Sequence, residues 1–172
     1  MKLKNKVAII AGGTKGIGLG IALEFAREGA RVVVGGTNPK NGETAAAEIA
    51  AAGGEGMFVK CDVSNLDDLD NIITETVERY GRLDIYVANA GINDSAKPHF
   101  LDISPEQYDR IMDENLRGMF FGGQKAAQQM VIQGEGGAII NMSSVNAHLA
   151  LDSQVVYTVS KGGIQQLTKV QA

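Results

Sequence analysis

The sequence predicts an α/β fold, in which a doubly wound parallel sheet carries helices on both faces. Short apolar runs alternate with longer helical stretches along the whole chain. The first run, Val7–Ala11, contains no polar residue, which is typical of a strand buried on both faces. Strands that alternate with helices imply parallel strands joined by right-handed crossovers. No linker or internal repeat interrupts the 172 residues, so we expect a single domain over residues 1–172.

Five strands and five helices follow from this alternation. The apolar runs predict strands at residues 7–11, 31–34, 57–60, 85–88 and 138–142. The longer segments between them predict helices at residues 17–28, 44–52, 66–80 and 105–133, with a last helix from Tyr157 to the end of the sequence. Glycines follow several of these segments, as is common where a chain leaves a helix.

Two of the helices begin with recognisable capping residues. Ser64 is expected to cap the third helix, whose first turn carries acidic residues that suit the positive end of the helix dipole. Ser104, Pro105 and Gln107 form a capping box with proline at the first helical position of the fourth helix. Three glycines are expected to weaken this fourth helix locally: Gly118, Gly122 and Gly123.

The composition excludes several classes of protein. Hydrophobic residues make up 44% and charged residues 21% of the chain, which is typical of a globular domain. The net charge of −4 leaves no basic face for nucleic acid. No signal-peptide pattern and no apolar stretch of roughly 20 residues is present, so a membrane is not expected as a partner. The single cysteine, Cys61, cannot form an intrachain disulfide, and we expect a cytoplasmic location.

A glycine-rich segment connects the first strand to the first helix. It reads Gly12-Gly13-Thr14-Lys15-Gly16-Ile17-Gly18. Glycines allow a tight turn and a close backbone approach to a phosphate, and the helix that follows offers free N–H groups. The spacing differs from the general dinucleotide fingerprint and from the Walker loop. Taken alone, the segment is also compatible with a tight turn that binds no ligand, although it favours a ligand.

A second cluster of polar residues lies near the end of the sequence. Tyr157 and Lys161 are four residues apart in a predicted helix, so their side chains lie on one face. A free tyrosine has a pKa near ~10, and a nearby ammonium favours the phenolate, so such a pair is a sensible acid/base unit. Ser143 and Ser144 follow the fifth strand at the carboxyl end of the sheet, where ligands bind in such folds. One of the two serines is expected only to cap the strand end.

The order of these motifs resembles the classical short-chain dehydrogenase/reductase family over essentially the whole chain. The matching residues are Gly12-x3-Gly16-Ile17-Gly18, Asp62-Val63, Asn89-Ala90-Gly91, Asn115, Ser144 and Tyr157-x3-Lys161. The resemblance implies a Rossmann-like fold. It also implies an oxidoreductase that transfers a hydride between a nicotinamide cofactor and a secondary alcohol or ketone. Oxoacyl thioester reductases and sugar or polyol dehydrogenases are the leading subclasses.

The resemblance also implies a role for each matched residue. Tyr157 would be the general acid in reduction and the base in oxidation, and Lys161 would favour its phenolate and hold the nicotinamide ribose. Ser144 would orient the substrate oxygen, and Asn115 would hold a water in a proton relay through Lys161. The remaining residues would contact the dinucleotide: Gly12, Thr14, Lys15, Gly16, Ile17, Gly18, Thr37, Asp62, Val63, Asn89, Ala90 and Gly91.

The choice between NADP and NAD depends on the end of the second strand. Gly36 stands where family members that use NAD often place aspartate, and Thr37 stands where many members that use NADP place arginine. Lys15 occupies a position where a basic residue of this family often meets a 2′-phosphate. Without an acid to repel that phosphate, NADP is favoured over NAD. The two histidines, His99 and His148, lie outside any metal-ligand spacing, so no metal is expected.

Members of the family normally continue beyond the helix that carries Tyr157. They add a sixth strand, a Pro-Gly loop, a substrate lid and a seventh strand, so the C-terminal strands of the family are expected to be missing here. An alternative is therefore a non-catalytic nucleotide-binding fragment or interaction module. The expected partners are a small carbonyl or alcohol substrate and further copies of the chain, in a homodimer or homotetramer formed through the fourth and last helices.

Overall fold

The computed structural model describes residues 1–94, 98–149 and 151–172, and its centre is one parallel sheet. The strands are β1 (Val7–Ala11), β2 (Arg31–Gly36), β3 (Glu55–Lys60), β4 (Ile85–Ala88) and β5 (Ala138–Asn141). Their spatial order is β3-β2-β1-β4-β5, and each neighbouring pair is parallel. The predicted α/β fold is confirmed.

Helices cover both faces of the sheet. They are α1 (Gly16–Arg27), α2 (Pro39–Ala51), α3 (Leu66–Tyr80), α4 (Pro105–Met112), α5 (Gly118–Gln133) and α6 (Val155–Gln171). Short 3-10 turns lie at Phe100–Asp102 and Val145–Ala147. Successive residues of β1 point to opposite faces: Ile10 joins a core with α1 and α2, whereas Ile9 joins a core with α3, α5 and α6. Among the described residues, no helix has the length and apolar character needed to cross a membrane.

The single long helix predicted for residues 105–133 is divided by a wider turn. Residues Asp113–Arg117 form a π-helical segment between α4 and α5, a feature that is frequent at functional sites. Helix α5 begins at Gly118, directly after this segment, and continues through Gly122 and Gly123. The glycine at position 118 allows close packing: a Cβ at Gly118 would lie 2.5 Å from the carbonyl oxygen of Val63.

Several boundaries differ from the predicted ones because of local capping. Helix α2 begins at Pro39 rather than residue 44, since the Asn38 side chain accepts a hydrogen bond from the Asn41 amide. Helix α3 is capped by Asn65, so the prediction for Ser64 was wrong. The amide and hydroxyl of Ser64 instead donate to Asp62. The other boundaries differ by less from the predicted ones. Strands β2 and β3 are two residues longer than predicted, β5 is one residue shorter, and α6 begins at residue 155 rather than 157.

The strand order determines where a ligand can bind. From β1 the chain builds outward to β2 and β3, and it then returns to the other side of β1 with β4 and β5. The connections that leave β1 and β4 therefore diverge at the carboxyl edge of the sheet, which opens a crevice between them. Both the glycine-rich segment and the loop after β4 lie at this crevice.

Candidate active site

The glycine-rich segment forms a close turn from β1 into α1. Gly12 has a φ of +80°, and a Cβ there would lie 2.6 Å from the Ala90 amide nitrogen. The side chain of Asn89 donates a 2.9 Å hydrogen bond to the Gly12 carbonyl, and the Asn89 and Ala90 amides both donate to Ala11. The structure thus brings the predicted residues after β4 against the predicted glycine turn.

The start of α1 is open to solvent. Lys15, at the N-cap, makes no side-chain capping hydrogen bond, and Ile17 is 70% exposed. Gly16 has a φ of +57°, and a Cβ built on it would have no neighbour within 4 Å. The first N–H groups of a helix carry the positive end of its dipole. This turn therefore offers an uncapped, glycine-lined cradle suited to an anion.

The end of β2 shows how Thr14 and Gly36 fit together. A Cβ at Gly36 would lie 2.7 Å from the Thr14 methyl group, so Thr14 fills the space that a side chain at position 36 would need. Thr37 and Lys15 are both exposed beside this contact. The end of β2 therefore carries no acidic side chain, and Thr14 occupies the position from which one would project.

The end of β3 supplies the third part of the crevice. The carboxylate of Asp62 accepts hydrogen bonds from the Ser64 amide at 3.0 Å and from the Ser64 hydroxyl at 2.7 Å. The Val63 side chain is buried in the core.

Glu114, in the π segment, was not anticipated from the sequence. Burial and the nearby Asp62 raise the pKa of its carboxyl group.

Tyr157 and Lys161 lie in the first two turns of α6, as predicted. The Lys161 ammonium lies 5.5 Å from the centroid of the Tyr157 ring and donates a 2.9 Å hydrogen bond to the Met142 carbonyl, just after β5. Lys161 is only 4% exposed, and this burial lowers the pKa of its ammonium group. The fold therefore holds a buried cation beside a tyrosine at the carboxyl edge of the sheet.

The two serines after β5 have different roles. The Ser143 hydroxyl donates a 3.0 Å hydrogen bond to the Lys161 carbonyl, which attaches α6 to the end of β5. The Ser144 oxygen accepts a 3.2 Å hydrogen bond from the Asn146 amide, which orients the side chain and leaves its own O–H as a donor. Ser143 thus has a structural role, but it binds a helix carbonyl rather than capping the strand end as expected.

Asn115 lies in the π segment and is completely buried. Its Oδ1 accepts a 2.7 Å hydrogen bond from the Ile92 amide, and its Nδ2 donates to the Ile92 carbonyl at 2.8 Å and to the Ser160 hydroxyl at 3.1 Å. Both N–H groups of the side chain are therefore engaged within the protein. The side chain itself joins the loop after β4 to α6.

A narrow cleft opens beside Tyr157. It is lined by Asn93, Asp94, Pro98, Ile103, Gln107, Ile111, Ser153, Gln154, Val155, Val156 and Tyr157. The Asp94 carboxylate accepts from Arg110 at 3.3 Å and from the Gln107 side chain at 3.3 Å.

Among the described residues, no group of three or more His, Cys, Asp or Glu side chains could hold a metal ion.

The doubly wound sheet and the glycine turn at its crevice define a Rossmann-type nucleotide-binding fold. The sequence pattern of the short chain dehydrogenase family matches residues 6–172, and the chain belongs to that family. A crystal structure of a short-chain type dehydrogenase/reductase from Mycobacterium marinum superimposes with a TM-score of 0.95 at 36% identity, over 99% of this chain and 67% of the other.

Curated relatives show the same family membership. The chain is 37% identical over 171 residues to a 3beta-hydroxysteroid dehydrogenase of Mediterraneibacter gnavus, covering 99% of this chain and 61% of the relative. It is 40% identical over 171 residues to an L-rhamnose 1-dehydrogenase (NAD(P)(+)) of Azotobacter vinelandii, covering 97% and 66%. The chain thus spans slightly less than two thirds of the length of these two relatives, and the resemblance found in the sequence is confirmed.

The burial of Lys161 predicts a pH-dependent stability. Because the pKa of Lys161 is lowered in the folded protein, the unfolded chain binds more protons between that pKa and the ordinary lysine value of about 10.4. The free energy of unfolding of the wild type should therefore rise with pH relative to Lys161→Met in this range. Urea unfolding of both proteins at several pH values up to about 10 measures the difference.

Lys169→Met is the matched control, because Lys169 lies exposed in the last turn of the same helix. The difference in the free energy of unfolding between the wild type and Lys169→Met should not change over the same pH range. If the difference in the free energy of unfolding between the wild type and Lys161→Met does not change with pH, burial does not lower the pKa of Lys161, and the prediction is contradicted.

Proposed function

We propose that the chain forms the catalytic and cofactor-binding part of an NAD(P)-dependent oxidoreductase acting on a secondary alcohol or ketone. The observation that carries this proposal is the buried Lys161 ammonium, 5.5 Å from the Tyr157 ring, at the sheet edge that also holds the glycine turn. The dehydrogenase names of the two curated relatives support the same reaction class. No observation favours the alternative of a non-catalytic module.

The residues at the crevice fit a dinucleotide. The uncapped start of α1 would receive the diphosphate, because Gly16 leaves open space there and the N–H groups of the first turn carry partial positive charge. Asp62 and Val63 would lie beside the adenine, and Asn89, Ala90 and Gly91 beside the nicotinamide half. When bound, the nicotinamide supplies the hydride chemistry, and the protein supplies position and electrostatics.

Tyr157 would act on the substrate oxygen. In reduction its phenol donates a proton to the carbonyl oxygen, and in oxidation its phenolate accepts the proton of the alcohol. The adjacent Lys161 ammonium stabilises the phenolate, and the Met142 carbonyl fixes the direction of that ammonium. Ser144 would donate its O–H to the same substrate oxygen, since the Asn146 amide holds its Oγ in place. Asn115 would hold a water in a proton relay through Lys161.

We also propose that NADP is preferred over NAD. Gly36 presents no carboxylate to repel a 2′-phosphate, and the exposed Lys15 lies in the glycine turn where it could attract one. The contact between Thr14 and Gly36 strengthens this inference. An aspartate at position 36 would have to displace the Thr14 methyl group, which lies 2.7 Å from the position of its Cβ.

An exposed apolar surface supports assembly into a homodimer or homotetramer. Its members lie on α4, α5 and α6 and keep between 42% and 80% of their surface exposed: Tyr108, Phe120, Val131, Ile132 and Val159. Tyr108 and Val159 line one surface groove, and Val131 and Ile132 line another. Exposed apolar patches often mark contacts between proteins. A second copy of the chain, with the same helices, is the partner that we propose. A cytoplasmic location also remains a prediction.

The role of Tyr157 is tested by steady-state kinetics. Tyr157→Phe should lower kcat by about 10²- to 10⁴-fold, the range that a general acid/base contributes. The assay follows nicotinamide absorbance with a panel of secondary alcohols and ketones that includes a 3-hydroxysteroid and L-rhamnose. Tyr80→Phe is the control, because Tyr80 lies at the end of α3 away from the crevice. Full turnover by Tyr157→Phe would contradict its role, and a wild type that turns over nothing would contradict the proposed function.

The cofactor preference is tested by titration of nicotinamide fluorescence. The wild type should bind NADPH more tightly than NADH, and Lys15→Ala should weaken NADPH binding by roughly tenfold, about 1.4 kcal/mol, without changing NADH binding. Lys4→Ala, an exposed lysine before β1, should change neither. Conversely, the double variant Gly36→Asp with Thr14→Ala should bind NADH more tightly than NADPH. Equal affinity of the wild type for both cofactors would argue against the preference.

A further inference from the structure

The Ser160 hydroxyl lies at the junction of three segments of the site. Ser160 directly precedes Lys161 in α6 and is completely buried. Its hydroxyl donates a 2.7 Å hydrogen bond to the Tyr157 carbonyl and accepts a 3.1 Å hydrogen bond from the Asn115 Nδ2. One hydroxyl thus contacts the main chain of the tyrosine proposed as acid/base and the side chain of the π segment.

The connection continues from Asn115 into the loop after β4. The Asn115 amide group exchanges two hydrogen bonds with the main chain of Ile92, at 2.7 Å and 2.8 Å. The hydrogen bonds therefore run without interruption from Ile92 through Asn115 and Ser160 to Tyr157. Gly91, next to Ile92, has so little space that a Cβ would lie 3.1 Å from the Asn115 Oδ1 and 3.5 Å from the Lys161 Nζ.

An ordinary helical serine does not account for this arrangement. Serine hydroxyls in helices commonly bond a carbonyl one turn earlier, and such a bond stabilises the helix little or not at all. Ser160 adds a second partner 45 residues away in sequence. Because the group is buried, removal of the hydroxyl would leave one Asn115 N–H without an acceptor, which is costly in a dry site.

We propose that Ser160 is a positioning residue that fixes the first turn of α6, and with it Tyr157 and Lys161, against the π segment and the loop after β4. This inference rests on the proposed function. The Ser160 hydroxyl touches neither substrate nor cofactor and acts through Asn115 and the Tyr157 main chain. Small displacements of reacting groups lower the rate strongly, and an error of about 1 Å can cost 10²-fold.

The link is tested first without turnover. Hydrogen exchange of the Ile92 amide, which donates to Asn115, should become about tenfold faster in Ser160→Ala, because the Asn115 side chain loses one of its anchors. Ser160→Cys keeps the shape of the side chain with a slightly larger sulfur, which is only a weak donor and acceptor, and it should show the same change to a smaller extent. The control is Thr76→Val. Thr76 is also completely buried, and its hydroxyl donates a 2.6 Å hydrogen bond to the Ile72 carbonyl in α3. This variant should leave the exchange of Ile92 unchanged.

The catalytic consequence is tested by measuring kcat separately from the binding of cofactor and substrate. In Ser160→Ala, kcat should fall on the order of tenfold to a hundredfold, whereas the NADPH dissociation constant and the substrate KM stay close to the wild-type values. Unchanged exchange at Ile92 in both Ser160 variants would overturn the link, whether or not the wild type is active. Faster exchange with unchanged kcat, or an equal kcat loss in Thr76→Val, would overturn the positioning role. An inactive wild type would instead count against the proposed function, while the exchange result would still decide the link.

Discussion

The site depends on keeping the ammonium of Lys161 charged in a place that water hardly reaches. Burial of a charge is costly unless polar groups replace its hydration shell. Here the Met142 carbonyl at the end of β5 accepts from the ammonium, and the Tyr157 ring lies 5.5 Å away. The carbonyl is available because the chain leaves the sheet at this point. The loop after β4 can approach the ammonium because position 91 is a glycine.

The topology of the sheet explains why this lysine lies at the same crevice as the glycine turn. In a parallel sheet every strand ends at one edge, so residues that follow β1, β3, β4 and β5 converge although they are far apart in sequence. The return of the chain to the other side of β1 then opens the crevice. Asn89 closes its base by donating to the Gly12 carbonyl. Two hydroxyls attach α6: Ser143 donates to the Lys161 carbonyl, and the buried Ser160 accepts from the Asn115 Nδ2.

Much of this could be predicted because its signals are local. The uninterrupted apolar strands, the glycine turn and the spacing of Tyr157 and Lys161 are all contained in short stretches of sequence. The capping box at Ser104 was predicted correctly for the same reason. The prediction of Ser64 as the cap of α3 was wrong because the Ser64 hydroxyl donates to the carboxylate of Asp62, and the neighbouring Asn65 caps the helix instead. The π segment and the bond from Asn115 to Ser160 had no local signal, since they depend on contacts between distant segments.

The central claim is that one crevice, at the carboxyl ends of β1 and β4, binds a nicotinamide dinucleotide and presents it to Tyr157. A crystal structure of the protein with NADPH tests this claim most directly. The account predicts the diphosphate at the start of α1, the 2′-phosphate near Lys15, and the nicotinamide ribose within hydrogen-bond distance of Lys161. A dinucleotide bound elsewhere on the protein, or one whose nicotinamide lies away from Tyr157 and Lys161, would contradict it.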